Sequence, residues 1–233
     1  MLSGTVCELW RYPVKSMLGE RRERVWLDQR GVIGDRLYAV RDEAGKFGSG
    51  KTTRRFRRIP GLFRFRAVYE GDVPLLTFPD GTTLHGDDPT IHASLSAQLG
   101  LPVTLSREAE ISHFDAGPLH LITTASMRAL GRALSEATVD ERRFRPNILV
   151  ETDAGGFPED AWQGRDIAVG AQVRLRVVER TQRCVMVNLA QDELPYDPRI
   201  LRTIARVNAI CVGIYADVLT PGAIRIGDSI RLL

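Results

Sequence analysis

Cysteine is scarce in this sequence, and the few residues present do not pair. Among 233 residues only Cys7, Cys184 and Cys211 occur, odd in number, far apart and in no CxxC arrangement. That argues against a disulfide framework and against a structural zinc site, and it fits a reducing compartment. Long apolar runs are also missing. No stretch approaches the roughly eighteen apolar residues of a membrane-spanning helix, and the opening MLSGTVCELWRYPVKS lacks the basic start, apolar core and cleavage site of a secretory signal. These absences lead to the expectation of a soluble cytoplasmic protein with no membrane partner, large enough to bury a core without covalent staples. A strong excess of one charge is absent too, the net charge being +3. Basic residues do cluster as Arg54, Arg55, Arg57 and Arg58 around Phe56. No zinc finger, recognition helix or ribonucleoprotein motif accompanies them, so they read as a solvated or anion-binding surface rather than a nucleic-acid interface.

Short strand-like runs fill the first hundred residues, at 6–14, 23–28, 35–42, 63–69 and 73–78. Arg30 with Gly31, the run Glu43, Ala44, Gly45, and the run Pro79, Asp80, Gly81 supply turn chemistry between them, at spacings that predict hairpins of a barrel or sandwich. Residues 89–99 predict a short helix, with Ile91, Leu95 and Leu99 on one face and Gly100 as its stop. Further along, HLIT at 120–123 leads into a helix over 124–135 carrying Met127, Leu130 and Leu134 on one face. Strands return at 147–151, 166–170, 173–181, 209–219 and 229–233, with 196–207 as a helix or long excursion. The pattern is mainly β with a few helices (α+β). A soft boundary near residue 110 divides the chain into 1–110 and 111–233.

Residues 45–52, GKFGSGKT, match the phosphate-loop pattern G-x-x-x-x-G-K-T. Their context does not. Such a loop opens a long amphipathic helix, whereas TTRRFRRIPGLF carries no apolar stripe and soon meets Pro60. Nucleotide hydrolysis is therefore not expected, although glycine amides and Lys51 could still cradle an anion.

Cys184 stands apart from the other two cysteines. Cys7 and Cys211 lie within apolar strand patterns, as ordinary buried thiols do. Cys184 falls at a strand end beside Arg183, with Arg180 near in sequence. Positive charge beside a thiol favours the thiolate, the form that binds soft metals or carries sulfur. Arg145 and Asn147 flank Pro146 ahead of an apolar strand, and read either as solvent-exposed turn residues, the commoner case, or as a rigid turn suited to a ligand with phosphate and heterocyclic edges. Lys15 and Ser16 follow Pro13 in YPVKSM, and in GDRLYAV at 34–40 Arg36 starts the next predicted strand. His113 and His120 read as either site groups or ordinary hydrogen-bonded residues.

Together these segments resemble the MOSC family, the molybdenum-cofactor sulfurase C-terminal domain, preceded by that family's N-terminal β-barrel. YPVKS and GDRLYAV are similar to the N-terminal motifs; FDAGPLHLITTAS, RFRPNILVE, TQRCV and GIYADVLTPGAIRIGDSIRLL are similar to the MOSC domain. The resemblance implies a MOSC-type β-barrel over 111–233 plus a smaller N-terminal β-barrel or sandwich over 1–110.

It also implies a molybdenum cofactor, a molybdopterin carrying molybdenum, with Cys184 as the catalytic metal ligand. By similarity Lys15, Ser16 and Arg36 would hold the terminal phosphate, and Arg145, Asn147 and Arg183 the pterin and its linker. Ala116 and Gly117 would offer only backbone groups where relatives often carry hydroxyls. The implied activity is reduction of N-hydroxylated small molecules by oxygen-atom transfer, as in the amidoxime-reducing branch. No iron–sulfur cysteine set or desulfurase domain is present, so a separate flavin or iron–sulfur reductase would supply electrons. Two alternatives stay open: a sulfur carrier holding a persulfide on Cys184 from a cysteine desulfurase, and a non-catalytic cofactor-binding module. Two departures stand out. Met17 replaces a frequent cysteine, and the basic GSGKTTRRF replaces a polar T-x-R-Q-like stretch, which leaves the substrate class open.

Overall fold

In the computed structural model, residues 3–135 and 139–233 are described. Seven strands close into a barrel: β1 (Ser3–Arg11), β2 (Leu119–Thr123), β3 (Ile148–Glu151), β4 (Asp166–Val169), β5 (Val173–Gln182), β6 (Cys211–Thr220) and β7 (Ser229–Leu232). Their order around the barrel is β3-β2-β6-β5-β4-β7-β1, and β1 pairs back onto β3 to seal it. Every pairing is antiparallel except β2 with β3. Closure leaves no open edge along these strands.

The alternation of side chains along each strand decides what faces inward. Leu119 and Leu121 of β2, Ile148 and Val150 of β3, and Ile214, Ala216 and Val218 of β6 fill the barrel core with Val6 and Leu9 of β1. Their neighbours His120, Asn147 and Tyr215 have the opposite parity, and all three border a cleft outside the barrel. Ile122 and Leu149 also face outward, where they form a second apolar layer with α2 (Thr124–Leu134) and α3 (Arg199–Asn208). Strand β2 is therefore buried on both faces, which explains its unbroken apolar character.

A smaller region packs against this barrel around its own core of Val14, Met17, Val40, Phe65, Leu76 and Leu95. It comprises a four-stranded sheet that includes Tyr38–Asp42, Phe47–Ser49, Phe56–Arg58 and Val103–Arg107, a three-stranded sheet from Arg66–Glu70 to Thr83–His85, and the helix α1 (Ile91–Leu99). The chain passes residue 110 on its way from this core to the barrel, while β1 and the strand Arg24–Asp28 serve the barrel from the N-terminal side.

The expected elements are present with shifted ends. The turns at 30–31, 43–45 and 79–81 each join paired strands, and Gly100 ends α1 in the left-handed region at φ 71°. Residues 63–69, predicted as one strand, begin instead as a 3₁₀ turn, Leu62–Arg64, before the strand Arg66–Glu70. The reason is local: Gly61 turns the chain in the left-handed region at φ 91° and the Phe65 amide donates back to the Leu62 carbonyl, with Leu62 and Phe63 both buried. The uncertain segment 196–207 contains α3. No helix among the described residues is long and apolar enough to cross a membrane.

Candidate functional site

Cys184, Lys15, Ser16, Arg36, Ala116, Gly117, Arg145, Asn147 and Arg183 all line one cleft of about 470 Å³. The barrel's outer face supplies one wall, and loops of the smaller region supply the other. Lys15, Ser16 and Arg36 come together because Val14 forms a parallel bridge with Tyr38, and because the Arg36 amide donates to the Tyr12 carbonyl at 2.6 Å. The segment that directly follows β1 is thus laid beside the one that leads into Tyr38–Asp42.

Three of these residues adopt positive φ without being glycine: Ser16 at 63°, Arg36 at 50° and Arg145 at 55°. A side chain in that region costs about 1 kcal/mol or more and persists only where surrounding structure enforces it. Enforcement is visible at Arg145. Its amide donates to the Arg142 carbonyl, ending the 3₁₀ turn Glu141–Phe144, and its Nη1 donates to the Met17 carbonyl at 2.7 Å.

Tyr12, which sequence reasoning did not single out, is the platform between the two arginines. The guanidinium of Arg145 lies 4.1 Å from its ring centroid and that of Arg36 4.8 Å. Arg36 is further paired with buried Asp35 and donates to the Arg145 carbonyl at 3.1 Å. Burial, with Arg36 nearby, lowers the Arg145 guanidinium to about 10. Its Nη2 has no partner among the described residues, nor has Nε of Arg183. Buried donors of this kind call for an acceptor.

Lys15 is only 4% exposed, with Nζ 2.9 Å from Asp115 Oδ1 and over the Phe56 ring at 4.5 Å. Burial pulls its ammonium down to about 8, and Asp115 opposes that shift. Asp115 itself is held down at about 2 by Lys15, then Lys51, against the effect of burial. Ser16 Oγ donates to the Gly48 carbonyl at 3.2 Å, which ties the cleft to the glycine-rich loop.

That loop is not a nucleotide-binding loop. Phe47–Ser49 is a strand paired in parallel with Phe56–Arg58, and that strand, not a helix, is the next element after Lys51. Lys51 nevertheless reaches the cleft.

Around the thiol, β5 ends at Gln182 opposite Cys211, and the Arg183 amide donates to the Ile210 carbonyl. Cys184 then opens the 3₁₀ turn Val185–Asn188 with its own backbone extended and its side chain partly exposed. Arg183 donates from Nη2 to the Phe144 carbonyl at 2.9 Å and places Nη1 3.2 Å from His120 Nε2. Burial, then the charge of Arg183, hold His120 well below its usual range, so it is neutral at pH 7. Arg180 is engaged elsewhere, by Asp160 at 2.8 Å and Asn208.

Asn147 is less available than its sequence position suggests. Its Oδ1 accepts from the His120 amide and its Nδ2 donates to the Trp10 carbonyl, so the side chain ties β1 and β2 to the start of β3. Ala116 and Gly117 form the wall opposite Tyr215; a Cβ at Gly117 would stand 2.7 Å from Tyr215 Cβ, so only glycine lets that wall close. Of the two flagged histidines, His120 lines the cleft, while His113 is buried against Phe47 and bonds the Arg36 carbonyl. Lys51, read from the sequence as a group that could cradle an anion, is among the cleft's lining residues. Nothing local marks Asp115, Tyr12 or Tyr215, which tertiary packing alone brings here.

The donor set suits a multiply charged anionic ligand with a soft metal: buried cations, orphaned guanidinium nitrogens and one accessible thiol. Among the described residues no three or more His, Cys, Asp or Glu side chains gather to hold a metal ion, so an ion at Cys184 would bring its other ligands with it.

A closed seven-stranded barrel with a smaller β region, joined at a cationic cleft around one thiol, is the architecture of a MOSC-domain protein. The profile of the MOSC N-terminal beta barrel domain matches residues 3–112 and that of the MOSC domain residues 88–231; the chain belongs to the MOSC family. That family is associated with binding of the molybdenum cofactor. Relatives include mitochondrial amidoxime reducing component 2 of Bos taurus, 24% identical across 97% of this chain and 82% of the relative. Mitochondrial amidoxime-reducing component 1 of Mus musculus is also 24% identical, across 99% and 82%. The crystal structure of the YuaD protein from Bacillus subtilis superimposes with a TM-score of 0.56 at 15% identity, covering 98% of this chain and 94% of that one. At that identity the likeness concerns the fold.

Proposed function

We infer that this protein is a molybdenum-cofactor-dependent oxidoreductase that removes oxygen from N-hydroxylated small molecules, with Cys184 as the protein ligand to the metal. The observation that carries the reading is the partly exposed thiol opening into the same cleft as Arg145 Nη2 and Arg183 Nε, two buried donors without partners. The amidoxime-reducing relatives, matched over nearly the whole chain, supply the reaction class.

Each residue then has a task. Lys15, Ser16 and Arg36 hold the terminal phosphate, with Asp115 as the internal counter-ion that keeps the Lys15 ammonium in place beforehand. Arg145 and Arg183 turn their free nitrogens to the linker and pterin, and the amides of Ala116 and Gly117 face the same ligand. Asn147 orients the barrel strands beneath the ligand, and neutral His120 steadies Arg183. When bound, the cofactor supplies the two-electron chemistry of oxygen removal. Electrons come from a separate flavin or iron–sulfur reductase, in keeping with relatives named as a component.

The test is composition. Protein purified under reducing conditions from a cofactor-competent host is expected to hold about one molybdenum and one pterin per chain, and Cys184→Ser to keep pterin while losing most of the metal. Absence of both from the wild type defeats the reading. If Cys184 instead gains the mass of one sulfur atom from a cysteine desulfurase, without bound molybdenum, the sulfur-carrier role replaces it.

A further inference from the structure

Lys51 is the most weakly held cation of the cleft among the described residues. Arg36, Arg180 and Lys15 each have a carboxylate partner, and Arg143, Arg145 and Arg183 each donate to a carbonyl. Lys51 Nζ forms no hydrogen bond among the described residues. Its nearest carboxylate oxygen, Asp115 Oδ1, is 3.9 Å away, and its side chain is 27% exposed.

Its position is nonetheless fixed. The preceding residue, Gly50, donates its amide to Met186 Sδ at 3.1 Å, and a Cβ there would stand 2.3 Å from both that sulfur and Leu189 Cδ1. Met186 lies in the turn that Cys184 opens. The Phe56 ring flanks the ammonium at 5.2 Å. The backbone beside Lys51 thus rests on the thiol's own turn, while its ammonium projects into the cleft that Cys184 lines.

A ligand filling this cleft meets a weakly paired, solvent-reachable positive charge. The lining as a whole has seven Lys and Arg side chains against two carboxylates, Asp115 and Glu179. Such a field concentrates anions and accelerates their capture. Locally, Asp115 is taken up by Lys15 at 2.9 Å and stands 3.9 Å from Lys51, so the Lys51 charge is only partly met and suits one further negative group. We propose that Lys51 sets substrate specificity by binding a carboxylate, and that the preferred substrates are N-hydroxylated compounds bearing that group. The proposal rests on the oxidoreductase reading above.

The experiment compares benzamidoxime with its 4-carboxylate on the holoprotein, using a chemically reduced viologen dye as donor. The kcat/KM for the carboxylate is expected to exceed that for the neutral compound by about tenfold at low ionic strength, mainly through KM. The ratio should shrink in about 0.5 M salt. In Lys51→Gln it should fall to about one, and Lys51→Arg should restore most of it. Calorimetric titration of the carboxylate into both holoproteins should show the same dependence on Lys51 without turnover. A ratio unchanged in Lys51→Gln overturns the proposal. So does a loss of molybdenum and pterin from that variant, which would make Lys51 a cofactor ligand. If neither compound turns over but carboxylate binding still depends on Lys51, the oxidoreductase reading fails and the carboxylate subsite stands.

Discussion

Lys15 shows at the scale of one residue how a binding site trades stability for charge. Its ammonium is buried, and its drop from 10.5 to about 8, which remains after the opposing pull of Asp115, corresponds to about 3 kcal/mol against the charged form. Between about pH 8 and 10.5 the folded protein holds fewer protons on Lys15 than the unfolded chain. Stability from this group therefore rises with pH across that window, and the full cost is present below it. Because Lys15→Met alone would strand the Asp115 carboxylate, the paired replacement Lys15→Met with Asp115→Leu is the informative one, and it is expected to leave the cofactor-free protein as stable at pH 7, or more stable by up to about 4 kcal/mol. The difference should narrow as pH rises from about 8 toward 10.5, and the phosphate-bearing cofactor should be retained less. Denaturant titrations across pH, with pterin analysis, check all three.

At the scale of elements, the site depends on how β2 hands over to α2. Thr123 caps the helix by accepting the Ser126 amide at 3.2 Å. The hydroxyls of Thr123 and Ser126 each donate to one oxygen of Glu159 at 2.6 Å, and Glu159 is 0% exposed. Burial raises its carboxyl, against the pull of those two hydrogen bonds. Its contribution is thus present below the unfolded value and is lost as pH rises through the raised folded one. Glu159→Ala leaves two buried hydroxyls without that acceptor and should cost about 2–4 kcal/mol, whereas Glu159→Gln keeps an acceptor and should cost less. Chemical denaturation at neutral pH distinguishes them; equal losses would show that shape rather than hydrogen bonding matters there. The loop at 45–52 teaches a related lesson. Its letters fit a phosphate loop, but pairing of Phe47–Ser49 with Phe56–Arg58 makes it part of a sheet.

Across the whole molecule, the two cores are threaded by one chain rather than strung end to end. β1 seals the barrel between β3 and β7, and Val6, Leu9, Val25 and Leu27 join its core from the N-terminal side. A fragment of residues 111–233 would lack that closing strand as well as Lys15, Ser16 and Arg36. It is expected to show no cooperative unfolding transition by circular dichroism, because β3 and β7 would expose unpaired backbone and the core would lose apolar contacts. A sharp transition in that fragment would show that the barrel closes without β1.

Much of this protein is local in origin. Period-two alternation, turn residues and Gly100 determine most strands and α1, since each depends on neighbours within a few residues. The grouping of Lys15, Ser16, Arg36, Arg145 and Cys184 was legible only through motif resemblance, because their spacing along the chain contains no geometry. Tertiary structure alone decided that Tyr12 lies between two guanidiniums, that Asn147 is taken up by backbone partners, and that Lys51 faces Asp115. These arrangements depend on strand order around a closed barrel and on left-handed turns at Ser16, Arg36 and Arg145, which long-range hydrogen bonds hold in place and local propensity opposes.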